Sequence, residues 1–179
     1  MIRSRVAKRY AQALFEVALE KKQLELVEAD LRSLKESYEQ SQEFSALIDS
    51  PVISTEAKQQ AFSTSFKKRL QDITFRFVTL LINKNREMLL KQIIEEFGDL
   101  LDQHKGIVRG DVYSVTPLSD EQVKNLVAQL NRMTGKKVVI ARHLDENLLG
   151  GIVIKLQDKV FDSSLRNKLE KLRQNLIES

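Results

Sequence analysis

Few residues in this chain have the type and spacing that chemistry requires. Met133-Thr-Gly135-Lys-Lys137 offers the glycine and lysine of a phosphate-cradling loop, in which backbone amides and a lysine hold the anion. That loop needs a second glycine five residues before Gly135, where Leu130 stands, and it needs a strand ahead of it and a helix after. Here the order is helix then strand, so the expectation is a helix stop at Gly135 followed by solvated lysines. Gly150-Gly151 precedes a strand rather than a helix N-terminus, which excludes a dinucleotide fingerprint and leaves a turn or a tight backbone approach. His104 falls at a helix end, where a partly charged imidazole complements the dipole. His143 stands alone before a turn, with no second histidine near it to share a metal. The chain has no cysteine, no serine in a nucleophile elbow and no HExxH pattern, so nucleophilic and metal catalysis both lack parts. Two acidic residues, Asp158 and Asp162, would serve acid–base catalysis only with strongly raised pKa values in a shared cleft. Arg3, Arg5, Lys8 and Arg9 are basic but lack interleaved aromatics apart from Tyr10, and are read as a solvated face.

The bulk numbers narrow the classes further. A chain of 179 residues has room for one ordinary domain or two small ones. Its net charge of +4 comes from 29 basic and 25 acidic residues, too near balance for a strong chain-wide attraction to nucleic acid. Absence of cysteine fits a reducing compartment. Met1-Ile-Arg-Ser-Arg-Val lacks the apolar core of a signal peptide, and Glu16, Glu20 and the lack of serine enrichment argue against a transit peptide. No stretch approaches the roughly 20 apolar residues of a membrane span, so the expectation is a soluble chain whose membrane association is peripheral.

The elements follow from periodicity. Val6, Tyr10, Ala13 and Val17 line one stripe of a first helix, taken as its core stripe, and Ala7, Ala11, Leu14 and Ala18 line a small-residue stripe beside it. Leu24, Val27, Leu31, Leu34 and Tyr38 mark a second helix. A short apolar piece at Phe44, Leu47 and Ile48 stops before Pro51. Ser54 or Thr55 caps the next helix, which presents Ala57, Ala61, Phe62, Phe66 and Leu70. Ile73 to Ile82 is apolar on nearly all sides, and after a polar break at Asn83-Lys84-Asn85 a long helix runs from Leu90 to His104. At Lys105-Gly106 the period becomes strand-like: Ile107, Val108, Val112, Tyr113 and Val115 form a β-rich run. Ser119-Asp-Glu-Gln122 is a capping box opening a helix with Val123, Leu126, Val127 and Leu130 inward. Val138-Val-Ile140 predicts a short buried strand, and Ile152–Leu156 with Val160-Phe161 predicts a hairpin about Gln157-Asp-Lys159. A last helix carries Leu165, Leu169, Leu172 and Leu176 on one face. The fold class is therefore α+β in two domains: a bundle of about six helices over residues 1–105, then a small α/β domain over 106–179.

Two helices have more apolar surface than one bundle interface consumes: the first, with its two stripes, and Ile73–Ile82. If they are adjacent, they leave a shallow apolar groove suited to an amphipathic helix from a partner. The competing account is that both are simply central. Neither involves catalysis.

"RYAQALFEVA" at Arg9–Ala18, "LLINKNREMLL" at Leu80–Leu90, "VYSVTPLSDEQ" at Val112–Gln122 and "LDENLLGGIVIKLQDKVFDSSLRNKLEKLR" at Leu144–Arg173 occur in that order. Together they resemble the delta subunits of F-type ATP synthases, the bacterial and plastid counterparts of the mitochondrial oligomycin-sensitivity-conferring protein. The resemblance implies a non-catalytic peripheral-stalk protein without a cofactor, metal or small-molecule substrate. Its helical bundle would bind N-terminal helices of the alpha subunits of the catalytic head, and its C-terminal domain the membrane-anchored b subunits. It implies a peripheral place on the cytoplasmic face of a bacterial inner membrane or on a thylakoid membrane. In such proteins the alpha-binding groove lies between the first and fifth helices, here Arg3–Glu20 and Ile73–Ile82. That puts Ala7, Tyr10, Ala11, Leu14 and Ala18 on one wall and Phe77, Val78, Leu81 and Ile82 on the other. Gly150, Gly151 and Asp162 belong to the structural motif of the resemblance, and Ser163 departs from it, standing where glycine is frequent. The rival reading is a nucleic-acid- or ribosome-associated binding module using Lys136, Lys137, Lys168 and Lys171, with binding that weakens steeply in salt.

Overall fold

The structure is a computed structural model that describes residues 4–156 and 159–177, with the helix at 171–172 and 175–177 described by its backbone alone. The turn expected at Gln157 and Asp158, the residue Arg3, and the side chains of Lys171, Leu172 and Leu176 lie outside the described residues. The chain divides into two compact units, Met1–Leu101 and Asp102–Ser179.

Among the described residues the first unit is built of helices joined by short turns. Helices α1 (Arg5–Glu20), α2 (Leu24–Gln40), α3 (Gln42–Asp49), α4 (Thr55–Phe66) and α5 (Asp72–Asn83) are followed by a 3-10 turn at Glu87–Leu89 and by α6 (Leu90–His104). Serines set two of the starts by accepting orphan amide protons: Ser41 from Phe44 at 3.1 Å and Ser54 from Ala57 at 3.3 Å. Ser54, not Thr55, is thus the cap of α4. The Asp30 carboxylate on α2 accepts the Gln71 amide at 2.8 Å and so fixes the beginning of α5 from a neighbouring helix. Aromatic rings fill the centre. Phe62 stacks with Phe66 and Phe75 at 5.1 and 5.4 Å, and Phe15 meets Phe97 edge-on at 5.7 Å. Fully buried rings such as Phe62 and Phe97 contribute roughly 1.5–3 kcal/mol each.

Polar ties close the unit where α4 passes the α5–α6 connection. Lys58 and Glu87 are 4% and 5% exposed and form an ion pair at 2.5 Å, and the Lys58 ammonium also donates to the Ile48 carbonyl at 3.4 Å. Deleting either charge alone would strand the other, at a cost of about 3–5 kcal/mol. Tyr38 on α2 donates its hydroxyl to Asp49 at the end of α3 at 2.5 Å; that bond, then burial, then the carboxylate's charge raise the phenol above its ordinary pKa.

The second unit is a sheet with a helix packed on one face. Strands β1 (Ile107–Ser114), β2 (Lys137–Leu144), β3 (Ile152–Leu156) and β4 (Lys159–Asp162) lie in the order β2-β1-β3-β4. β1 and β2 are parallel, from Ile107 opposite Lys137 to Ser114 opposite Leu144. The crossover is α7 (Asp120–Thr134), and the remaining pairs are antiparallel. Both bonds of the Ser119/Gln122 capping box are formed, and Gly135 ends α7 at φ 65°. Val108, Val112, Leu130, Val138, Ile154 and Leu156 make the core, drawn from one face of the sheet and the inward side of α7. The short buried strand expected at Val138–Ile140 is an eight-residue edge strand in which only Val138 is buried. An edge position explains this: β2 has a neighbour on one side only. Helix α8 (Leu165–Ile177) ends the described chain.

Candidate functional site

The chemistry-bearing residues do not converge. His143, expected before a turn, is part of β2, its Nε2 2.7 Å from the Asp111 carboxylate and its ring stacked on Tyr113 at 5.0 Å. Lys155 lies over the other partner of that stack, 4.6 Å from the Tyr113 centroid. These groups occupy the sheet face opposite the core, and parallel register brings Tyr113 level with His143. Asp162 accepts the Ser164 amide at 2.8 Å and through its carbonyl the Asn167 side chain at 2.9 Å, so it orders the start of α8. Among the described residues no group of three His, Cys, Asp or Glu side chains could hold a metal ion.

The surfaces are more informative. On α1 the two stripes take the opposite roles to those expected. Ala7, Ala11 and Ala18 are fully buried and Leu14 is 2% exposed, whereas Val6 and Val17 are 38% and 41% exposed. Small side chains let neighbouring helices approach closely, so the alanine stripe faces inward, and the bulkier stripe is left outside. α5 repeats the division. Val78, Leu81 and Ile82 are 0–1% exposed in the core, while Ile73 and Phe77 are half-buried and Leu80 is 44% exposed. Of the residues assigned to the groove, therefore, Ala7, Ala11, Leu14, Ala18, Val78, Leu81 and Ile82 belong to the unit's own core. Buried at 0–2% exposure, they offer a partner no surface.

Tyr10 and Phe77 are the two that remain at the surface, and they touch, with centroids 6.3 Å apart and rings at 72°. Each sits in the middle of an outer stripe: Val6, Tyr10, Ala13 and Val17 on α1, and Ile73, Phe77 and Leu80 on α5, both at the three- and four-residue spacing of one helix face. Their contact joins the stripes into one partly exposed apolar strip. The sequence contained the signal for this, since Val6 to Val17 was the bulkier of the two stripes. Periodicity alone does not say which of two adjacent stripes faces in.

In the second unit the glycine pair is explained by close approach. Gly151 has φ 81°, and a Cβ there would lie 2.4 Å from the Ser163 carbonyl oxygen. At Gly150 a Cβ would meet the Leu165 side chain at 2.7 Å. Backbone bonds complete the junction: Leu165 donates to the Gly150 carbonyl and Ser163 to that of Ile152, each at 2.9 Å. The segment before β3 and the segment before α8 are thereby locked together. Beyond that lock Leu165 and Leu169 are 47% and 59% exposed, and Leu149 at the other side of it 66%. No helix among the described residues is long and apolar enough to cross a membrane.

Comparison with known proteins points one way. Residues 6–176 match the family model described as ATP synthase delta (OSCP) subunit. The chain is 40% identical over 171 residues to a protein of Chlorobaculum tepidum named ATP synthase subunit delta, covering 96% of this chain and 94% of that one. With the protein of the same name from Salinibacter ruber it shares 37% over 174 residues, 97% of this chain and 92% of the other. A chain in the cryo-EM structure of the Toxoplasma gondii mitochondrial ATP synthase hexamer superposes with a TM-score of 0.74 at 26% identity, covering 97% and 98% of the two chains.

Proposed function

This chain belongs to the ATP synthase delta (OSCP) subunit family, and from that premise we propose how its two units share the work. It is a non-catalytic peripheral-stalk subunit of the F-type ATP synthase, joined to the catalytic head and the stalk and attached to the membrane only through the complex. The nucleic-acid reading of its lysines has no support once the family is known.

Rotation of the central shaft applies torque to the head, and the stator must resist it. In our reading the helical unit holds an N-terminal helix of an alpha subunit along the apolar strip formed by the outer stripes of α1 and α5. The observation that carries this is the Tyr10–Phe77 contact, which joins two partly exposed apolar stripes on separate helices. An amphipathic helix laid there would cover both. The second unit takes the membrane-anchored b subunits. Two tethered contacts raise each other's effective concentration, which suits a joint that must not come apart under load. The place of the subunit is then the cytoplasmic side of a bacterial inner membrane, or the corresponding side of a thylakoid.

The test is made in vesicles reconstituted with either the full chain or a chain ending at residue 105. ATP hydrolysis by the head should persist in both, because this subunit supplies no catalytic group. Proton pumping driven by that hydrolysis should be lost with the shortened chain, since an untethered head turns with its shaft. Normal pumping with the shortened chain would overturn the division of work.

A further inference from the structure

The charges beside the outer stripe of α1 are arranged unlike those on other helices of the same unit. On α2, Glu28 pairs with Arg32 at 3.3 Å and Lys35 with Glu39 at 3.9 Å; on α5, Asp72 pairs with Arg76 at 2.9 Å. Each pair neutralises itself within one turn. On α1 the signs are separated instead: Arg5, Lys8 and Arg9 fall in the first half, Glu16 and Glu20 in the second. Among the described residues Arg5, Arg9 and Glu20 take part in no ion pair.

This arrangement opposes the helix's own field. A helix N-terminus carries partial positive charge and favours acids, yet the first turn of α1 has none and begins with Arg5. Lys21 and Lys22 follow directly after Glu20 and offset the acidic end, so the polarity of α1 is carried by its basic end. At about 100° per residue, Arg5 and Arg9 leave the helix on the side of the outer stripe that faces away from the buried alanines. They therefore flank the apolar strip where a docked helix would lie. Arg9 and Glu20 are separated by about 16 Å along the axis, at 1.5 Å per residue.

We propose that the groove between α1 and α5 is directional: it receives an amphipathic helix whose acidic turn lies over Arg5 and Arg9, so that the helix docks one way round. This rests on the docking reading given above and adds the chemistry of the occupant. The apolar strip alone fixes the line of the docked helix but not its sense, because a stripe of Val, Tyr, Ile, Phe and Leu looks similar from either end. The unpaired arginines supply the asymmetry, and rim charges of this kind discriminate orientation and partner more than they add raw affinity.

The probe is a synthetic amphipathic peptide of about 20 residues with Leu and Ile at i, i+3, i+4 and i+7, a Glu-rich turn at one end and a nitroxide beside that turn. It is added to the isotope-labelled full chain. The nitroxide should broaden the amides of residues 5–9 far more than those of 16–20. Exchanging the charges (Arg5→Glu, Arg9→Glu, Glu16→Lys and Glu20→Lys together) should reverse that pattern. Arg5→Glu with Arg9→Glu alone should lower affinity for the probe about 3- to 10-fold, and a Lys-rich turn in place of the Glu-rich one should recover it. All these side chains are exposed, so the fold is not at risk. Equal broadening at both ends, or an unchanged pattern in the exchanged protein, would overturn directionality while leaving the groove in place. Failure of any peptide to shift the signals of Val6, Tyr10 and Phe77 would remove the groove itself and the directionality with it.

Discussion

Two stripes run side by side along α1 and meet opposite environments. The inner one, Ala7, Ala11, Leu14 and Ala18, is built largely of the smallest apolar side chain and disappears into the bundle. The outer one, Val6, Tyr10, Ala13 and Val17, has the greater apolar bulk and stays at least partly in contact with water. Ranking by hydrophobicity would have placed them the other way round. What decides is distance: helix axes pack at about 8–10 Å, and the closer end of that range is open only where side chains are small. In this fold smallness marks the internal contact, and the greater bulk on α1 is held at the surface. The same holds in the second unit, where Gly151 marks an approach too close for any Cβ.

The inner stripe should be the least tolerant. Ala11→Arg forces a long cation into a fully buried position and should destabilise the helical unit by about 3–5 kcal/mol, with helicity lost on mild denaturation. A variant with native stability would mean that α1 is free to roll and expose this face. Gly151→Ala comes next. Its Cβ would fall 2.4 Å from a backbone oxygen at a left-handed φ, so the second unit should lose about 1–3 kcal/mol in denaturant melts while the first is unaffected. An unchanged midpoint there would show that smallness at 151 is not a packing requirement. Phe77→Asp, on the outer face, should leave stability within about 1 kcal/mol yet weaken binding of an alpha N-terminal helix about 10-fold or more in calorimetric titration. If it instead unfolds the bundle as Ala11→Arg does, the outer stripe is core and the distinction between the stripes fails.

Much of the architecture was legible because it depends on local spacing. The Ser119/Gln122 box and the left-handed Gly135 are decided within a few residues, and both ends of α7 fall where they require. The change of period after Lys105 likewise locates the first strand. What escaped depends on residues far apart in the chain. The buried Lys58–Glu87 pair spans 29 residues and the His143–Asp111 pair 32, and neither has a local signature. The full length of β2 is not legible in the sequence, because Ala141-Arg-His143 has no apolar alternation. Those residues are strand because β1 offers eight residues of parallel backbone to pair with. On α1 and α5 periodicity identified helices with more than one apolar stripe, but could not order two adjacent stripes by depth.

The strand order of the second unit also has a mechanical meaning. The chain enters this sheet at the start of β1 and leaves it, toward α8, at the end of β4. β1 and β4 point the same way, because both run antiparallel to the β3 between them. A pull applied between the incoming chain and α8 therefore acts along the strands and drags β1 and β4 in opposite senses. Ladder bonds lie across that direction, so they are loaded in shear and must yield together rather than one after another as in an unzipping hairpin. The bonds from Ser163 to Ile152 and from Leu165 to Gly150 extend the same ladder past the end of β4. A joint of this kind is slow to rupture even where its equilibrium stability is modest, since forced unfolding is governed by the rate of that concerted step.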